Sequence, residues 1–342
     1  MLKALERAIE NVFVCPVCKG QLVLEEVVSY VRCTCCQRAY SINDGIPVFL
    51  RGELVAQEEE RQFRDVLADE YIRSDPQTLL GVVARHHCIP VMRKHAEEFR
   101  AKFKPNEWLL DVGIGYGWHW AGQGVGAKII GVDMSLGNLI LARHLLGEQD
   151  DVVLVCADAA ALPIRESAIS GVWSVQMFQH LPKGIFHIVQ RELNRVLRDE
   201  FVMEICNLNP ACLHKVIYCL FGREFHRQGK LGNMELNRLS AIELIDVWRP
   251  FRNGYSKISH DYSELFFHPD FNFRPRRYPL QLEHALATHF PKLAALFARQ
   301  VHVRIERLKD YENNACVSED LNCWSPTGSL DEKEKPYEDT SN

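Results

Sequence analysis

The stretch that most constrains this chain is Leu109-Leu110-Asp111-Val112-Gly113-Ile114-Gly115-Tyr116-Gly117. An apolar run ends in a carboxylate, and three alternating glycines then lead into a helix-like segment. This is the pattern of a strand entering a turn where backbone must come close to a ligand, because glycine has no Cβ to obstruct it. A second apolar run, Ile129-Ile130-Gly131-Val132, ends in Asp133, sixteen residues after Gly117 and placed to accept hydrogen bonds from a ribose diol. Two strands delivering acids and a glycine turn to one sheet edge make a nucleoside pocket.

The spacing narrows the choice of nucleoside. A dinucleotide turn reads G-x-G-x-x-G, with a pyrophosphate on the following helix N-terminus. Here the third glycine comes one residue early, and Asp111 stands two places before the first. That acid would repel a pyrophosphate and suits a cationic amino-acid group. Gly122-Gln123-Gly124-Val125-Gly126-Ala127 does fit a dinucleotide pattern, but no strand precedes it, and it is read as chance. The acid-x-G-x-G-x-G run resembles the first motif of the class I S-adenosylmethionine-dependent methyltransferases with a type 11-like core. The resemblance extends over roughly Glu107 to Asn209.

It implies an α/β fold: a Rossmann-like sheet of seven strands with helices on both faces. It also implies S-adenosyl-L-methionine as cofactor, held by Asp111, Gly113, Gly115, Gly117, Asp133, Met134, Asp158, Ala159 and Gln176. Asp158, at the end of the third apolar run, would meet the adenine with Ala159; as a residue type it is equally a helix N-cap. A fourth strand is expected near Gly171–Gln176 and a fifth at Phe201–Ile205. The Pro-Gly-Gly turn usual before the fifth is replaced by Arg198-Asp199-Glu200, and the Phe-Asp usual before the fourth by Ile169-Ser170.

The N-terminal fifty residues carry a separate signal. Cys15-Pro16-Val17-Cys18 and Cys33-Thr34-Cys35-Cys36 are two knuckles with a fourteen-residue spacer of strand character. Four thiolates so placed suit a tetrahedral zinc site that stabilises a fold too small to hold itself together. The spacing of the first knuckle favours Cys33 and Cys36 as partners of Cys15 and Cys18, leaving Cys35 free or beside the site. With Asn43-Asp44-Gly45-Ile46-Pro47 downstream, the segment resembles the small zinc-ribbon activators of tRNA and protein methyltransferases, Ser41 replacing a proline usual there. Such a ribbon fused ahead of a methyltransferase is an activator supplied in cis, either a folding staple or a substrate reader.

The organisation expected is a zinc ribbon over 1–52, a helical connector over 53–105, and the cofactor-binding core over 106–209. The rest of the core, with a substrate-lid insertion, follows over 210–310, and a disordered tail over 311–342. Helices at Glu58–Arg64 and Pro90–Phe99 could close over the cofactor, and His86, His87 and His95 are read as surface or interface residues. Ser240 and Glu243 form a capping box for a helix before the sixth strand, near Gly254–Ser259; Val301–Leu308 alternates as a final strand. The aromatic and proline-rich stretch from Tyr262 to Pro291 is the expected lid.

Composition bounds the function. Net charge is −5 in 342 residues, so no global basic field draws the chain to nucleic acid, although a local patch would suffice. No apolar run approaches the ~20 residues of a spanning helix. Twelve cysteines, five of them between Cys15 and Cys36, indicate a reduced, cytoplasmic protein using thiols for metal. Within the methyltransferase resemblance, with the insertion as lid, a small-molecule, saccharide or lipid-linked methyl acceptor is expected. The alternatives are an RNA or protein substrate docked by the ribbon, and a non-catalytic scaffold. His180, after the fourth strand, is a general base or a packing group.

Overall fold

The computed structural model describes residues 2–25, 30–50, 58–74, 88–147, 149–210, 212–222, 228–231, 234–248, 257–266 and 279–307. All belong to one unit, Met1–Leu308. The expected tail, His86, His87 and the middle of the expected lid lie outside the described residues.

The N-terminal part begins with helix α1 (Leu2–Asn11). Strands β1 (Leu22–Glu25), β2 (Tyr30–Cys33), β3 (Ala39–Asn43) and β4 (Ile46–Pro47) follow as one antiparallel sheet. Two long helices come next, α2 (Glu58–Ser74) and α3 (Cys88–Arg100). The main sheet is built from β5 (Trp108–Val112), β6 (Lys128–Asp133), β7 (Val152–Cys156), β8 (Ile169–Val175) and β9 (Leu197–Leu208). Helices α4 (Leu136–Leu146) and α5 (Phe186–Val196) lie between them in the chain. Helix α6 (Cys212–Leu220), a hairpin of β10 (Gln228–Leu231) and β11 (Met234–Asn237), and helix α7 (Ala241–Trp248) precede β12 (Lys257–Ser263). Helices α8 (Leu280–His289) and α9 (Pro291–Phe297) then lead to β13 (Gln300–Arg307).

The order across the sheet is β12-β13-β9-β8-β5-β6-β7, with β13 antiparallel to both neighbours and the other five core strands parallel to one another. Parallel neighbours need long crossovers, and the helices provide them. Burial on both faces explains why β5, β6 and β7 read as continuous apolar runs. Leu110, Val112, Ile130 and Val155 pack on one face with Leu193 of α5 and Leu244 of α7. Leu109, Ile129 and Trp173 pack on the other with Phe99 of α3 and Leu139 of α4. This is the seven-stranded, two-faced architecture that the resemblance implies.

Three local expectations are corrected. The segment after Gly117 is not a helix: Trp120, Ala121 and Gln123 donate to carbonyls three residues back, so it is a series of tight turns. Its aromatic side chains are drawn under the sheet edge, and Gly122, Gly124 and Gly126 supply no helix-forming side chains. The fifth strand starts directly from α5 at Leu197, with no intervening turn. Arg198, Asp199 and Glu200 are exposed in a bulge, since Ile169 pairs with Leu197 and Gly171 with Val202. The sixth strand, described over Lys257–Ser263, runs on past Ser259, farther than expected; Gly254, Tyr255 and Ser256 lie outside the described residues. The capping box at Ser240 is present: Glu243 N donates to Ser240 Oγ at 3.3 Å, and Ser240 N to Glu243 Oε2 at 2.8 Å.

The ribbon closes one edge of the main sheet. Val48 forms a parallel bridge with Cys156 of β7, and Phe49 N donates to Cys156 O at 2.7 Å. Phe13 bridges Ile164, and Val14 N donates to Pro163 O at 3.0 Å. Phe13, Tyr40 and Phe49 stack edge to face and join the apolar cluster that contains Val153, Val155 and Ile164. A sheet edge that would template unwanted pairing is thereby covered. No described helix is long and apolar enough to cross a membrane.

Candidate cofactor site and metal centre

The sulfurs of Cys15, Cys18, Cys33 and Cys36 lie within 4.8 Å of one another. Each knuckle ends in a left-handed residue, Lys19 (φ 58°) and Gln37 (φ 60°), whose N–H returns to the carbonyl of the knuckle's first cysteine. The two halves thus have the same local geometry and face each other. Tyr40 Oη is 3.1 Å from Cys15 Sγ. The Gly20 backbone brings the Cys18 thiol down to about 6, favouring the thiolate a metal requires. Four sulfurs with no fifth ligand among the described residues fit a closed structural zinc site. Cys35 is exposed and stands outside the group of four.

The second centre is the C-terminal edge of β5, β6, β7 and β8. Gly113, Gly115 and Gly117 all have positive φ (75°, 54° and 62°). Gly113 N donates to Val132 O at 2.8 Å, and Gly115 N to Asp133 Oδ2 at 3.0 Å, so the turn is sewn to the end of β6. Asp133 Oδ1 accepts from Ser135 N at 2.9 Å and from Asn138 Nδ2 at 3.4 Å. Three of about four lone-pair positions on this carboxylate are therefore used. Burial pushes its pKa up, opposed by the N–H groups of Ser135 and Gly115 and by the Arg64 charge. Ala157 N donates to Asp133 O at 3.0 Å, which brings the end of β7 alongside.

Asp158 caps the short turn Ala159–Ala161, its side chain accepting from Ala160 N at 2.8 Å. Met134 and Ala159 are half-buried at this edge, and Met134 O lies 3.5 Å from Cys156 Sγ. Gln176 takes a left-handed conformation (φ 57°) just after β8, its N–H donating to Cys206 O at 2.8 Å. The three glycines have different surroundings. A Cβ on Gly113 would stand 2.5 Å from Met177, and one on Gly117 3.0 Å from Leu146, whereas one on Gly115 would meet nothing within 4 Å. Gly113 and Gly117 permit close packing, and Gly115 is the open position over which a ligand can lie. That open glycine, with Asp133 beside it and a buried carboxylate oxygen of Asp111 carrying no hydrogen bond among the described residues, fits a cofactor with a diol at one end and a cation at the other.

Several contacts at this edge have no signature in the sequence. Helix α2 lies against this edge: Asp65 Oδ1 accepts from Ser135 Oγ at 2.6 Å and from Gly137 N at 3.0 Å. Ala68 is where a Gly137 side chain would have to go, and Tyr71 stacks on Tyr116. Glu60 reaches His180, Oε1 to Nδ1, at 3.5 Å. A charged helix in a connector gives no hint of these contacts. Nor does the motif single out His119 and Trp120, although Gly117-Trp118-His119-Trp120 is an unusual continuation of a glycine turn. His180 Nε2 lies 3.2 Å from Gln179 Nε2.

The family described as "Methyltransferase domain" matches residues 110–201. A malonyl-[acyl-carrier protein] O-methyltransferase of Gallionella capsiferriformans is 31% identical over 121 residues, 32% of this chain; the chain spans 40% of that relative's length. A UPF0434 protein of Alteromonas mediterranea is 40% identical over 53 residues, 16% of this chain and 83% of that protein. A methyltransferase structure from Archaeoglobus fulgidus superposes with a TM-score of 0.44 at 14% identity, covering 64% of this chain and 94% of the other. The chain therefore carries an S-adenosylmethionine-dependent methyltransferase domain on its Rossmann-like sheet and, at its N-terminus, a ribbon of the UPF0434 family.

Proposed function

We propose that the protein transfers the methyl group of S-adenosylmethionine to a small-molecule, saccharide or lipid-linked acceptor. The observation that carries this reading is the open left-handed glycine at 115, bonded to Asp133 and flanked by the ends of β5, β7 and β8. The cofactor supplies a methyl already activated on a sulfonium. The protein's part is to hold the acceptor atom in line with the S–CH3 bond and to keep water out. Asp133 would take the ribose hydroxyls, Asp111 the cationic arm, and the Asp158–Ala159 turn with Met134 the adenine, while Gln176 borders the transfer point.

A general base is needed only where the acceptor carries a proton to be lost. His180 is the group available for that, with Glu60 beside it. The net charge of −5 supports an acceptor other than nucleic acid. A cytoplasmic setting is part of the proposal, since a thiolate metal centre needs reduced cysteines.

Titration of the purified protein with S-adenosylmethionine tests the reading. Binding should be detected, and Asp133→Ala should weaken it by on the order of tenfold or more, as expected for losing hydrogen bonds to a charged group. Absence of binding, or binding indifferent to Asp133→Ala, would refute it. Labelled-methyl incorporation in fractionated cell extracts then separates the acceptors: label in a small or lipid fraction supports the proposal, and label confined to RNA or protein overturns its acceptor.

A further inference from the structure

Beneath the glycine turn lies a buried polar group that the motif does not call for. Asp111 is 1% exposed, and one of its oxygens, Oδ2, receives both His119 Nε2 at 2.7 Å and Trp120 Nε1 at 2.6 Å. The other oxygen, Oδ1, has no hydrogen-bond partner among the described residues, and neither has His119 Nδ1 on a ring that is 2% exposed. No lysine or arginine among the described residues pairs with this carboxylate, His119 being its one basic neighbour. A buried carboxylate with a bare oxygen is costly unless something brings donors to it. With Nε2–H directed at Asp111, both unused atoms of the pair are acceptors, so the complement they want is a donor, best a cationic one. The carboxylate also stands next to last in the strand that opens the glycine turn, two residues before Gly113.

We propose that His119, assisted by Trp120, is a positioning residue for the cofactor's amino-acid arm. By occupying Oδ2 from two sides, the pair fixes the Asp111 carboxylate and leaves Oδ1 as the acceptor for the α-ammonium group. This deepens the methyltransferase reading and rests on it. The competing account is a buried water. Trp173 Nε1 is a third unpartnered buried atom and is a donor, and its ring lies 6.2 Å from that of His119, so a water could serve all three. The two accounts differ in what they owe to the ligand. A water-filled site is indifferent to the ligand's amino acid, and a positioning role is not.

Calorimetric titration of the full-length, metal-loaded protein separates them. The ligands are S-adenosylmethionine and S-adenosylhomocysteine, which carry the amino acid, and 5′-methylthioadenosine, which lacks it. His119→Phe keeps a ring and removes the donor. It should weaken the first two by on the order of tenfold and leave methylthioadenosine unchanged. His119→Gln, which can still donate to Oδ2, should restore most of the loss. An equal loss for all three ligands, or no loss for any, overturns the proposal and leaves His119 as a packing or water-holding residue. If His119→Phe does not fold, Trp120→Phe, which removes the second donor to Oδ2, gives the same comparison with the same two outcomes. A wild-type protein that binds none of the three refutes the methyltransferase reading itself, whereas one that binds all three equally refutes the positioning role alone.

Discussion

Two glycines two residues apart in the turn should respond differently to the same added methyl. Gly113 has φ 75° and no room, because a Cβ would sit 2.5 Å from both Met177 Cβ and Cγ. Gly115 has φ 54° and open space. Each alanine pays a left-handed backbone penalty of roughly 1–2 kcal/mol, and only at 113 does a steric clash with a neighbouring loop add to it. Gly113→Ala is therefore expected to lower the urea midpoint clearly more than Gly115→Ala. Gly115→Ala should show the larger loss of S-adenosylmethionine binding relative to its stability change. Equal stability losses would mean that the Met177 loop yields freely. The sequence pattern identifies these positions as glycine-requiring but assigns all three one reason, close approach of a ligand. The structure divides the reason, because packing against Met177 and Leu146 depends on chain segments far away in sequence.

Among the elements, the ribbon and helix α2 bear on the site in different ways. The first metal knuckle is tied to the loop after β7, where Asp158 and Ala159 sit. Lys19 Nζ reaches both Leu162 O and Glu192 Oε2 at 3.2 Å, and Glu192 also accepts from Leu162 N at 3.0 Å. Arg195 and the charge of Lys19 hold the half-buried Glu192 carboxyl below its usual range against the desolvation that raises it. Removing the metal frees the knuckle, so chelation or Cys18→Ser should lower the melting temperature by several degrees, at about 2–4 °C per kcal/mol for a domain of this size. Faster hydrogen exchange over 157–164 should accompany it. Unchanged exchange there, in protein shown metal-free by elemental analysis, would uncouple the ribbon from the loop after β7. The ribbon was legible because its ligands are local in sequence, and the parallel strands because double burial makes them uninterrupted apolar runs. Helix α2 was legible as a helix that could close over the cofactor, but the side chains it brings to the site were not. It meets the sheet edge through Glu60 and Asp65, and polar contacts leave no periodic trace in a segment already rich in charge. The segment after Gly117 was misread for the opposite reason, since its tryptophans mimic an apolar helix face while following a tight-turn backbone.

For the molecule as a whole, the sheet has two edges secured by different chemistry, and this sets how it should come apart. The β7 edge is closed by the ribbon. At the other end, β12 has β13 as its strand neighbour among the described residues, and buried polar groups hold the pair in place. Ser263 Oγ lies 2.6 Å from His302 Nε2, and Glu264 accepts from Arg299 at 2.7 Å and from Gln300 at 2.5 Å. Burial, with a smaller contribution from His95, depresses the His302 imidazole to about 3. In the unfolded chain a histidine titrates near its ordinary value of about 6.5. Between these two values the unfolded state binds the extra proton and the folded state does not. Stability is therefore fully present above about pH 6.5 and falls as the pH drops toward 3. His302→Gln keeps an amide toward Ser263 and removes the titration. At pH 5.5 the wild type should have lost about 1.4 kcal/mol more, relative to pH 7.5, than this variant in urea unfolding. Chelation, acting on the far edge, should lower both proteins by the same amount at either pH, because sites this far apart without shared partners add independently. If the two proteins show the same acid slope, protonation at this edge does not govern the acid limit of the fold.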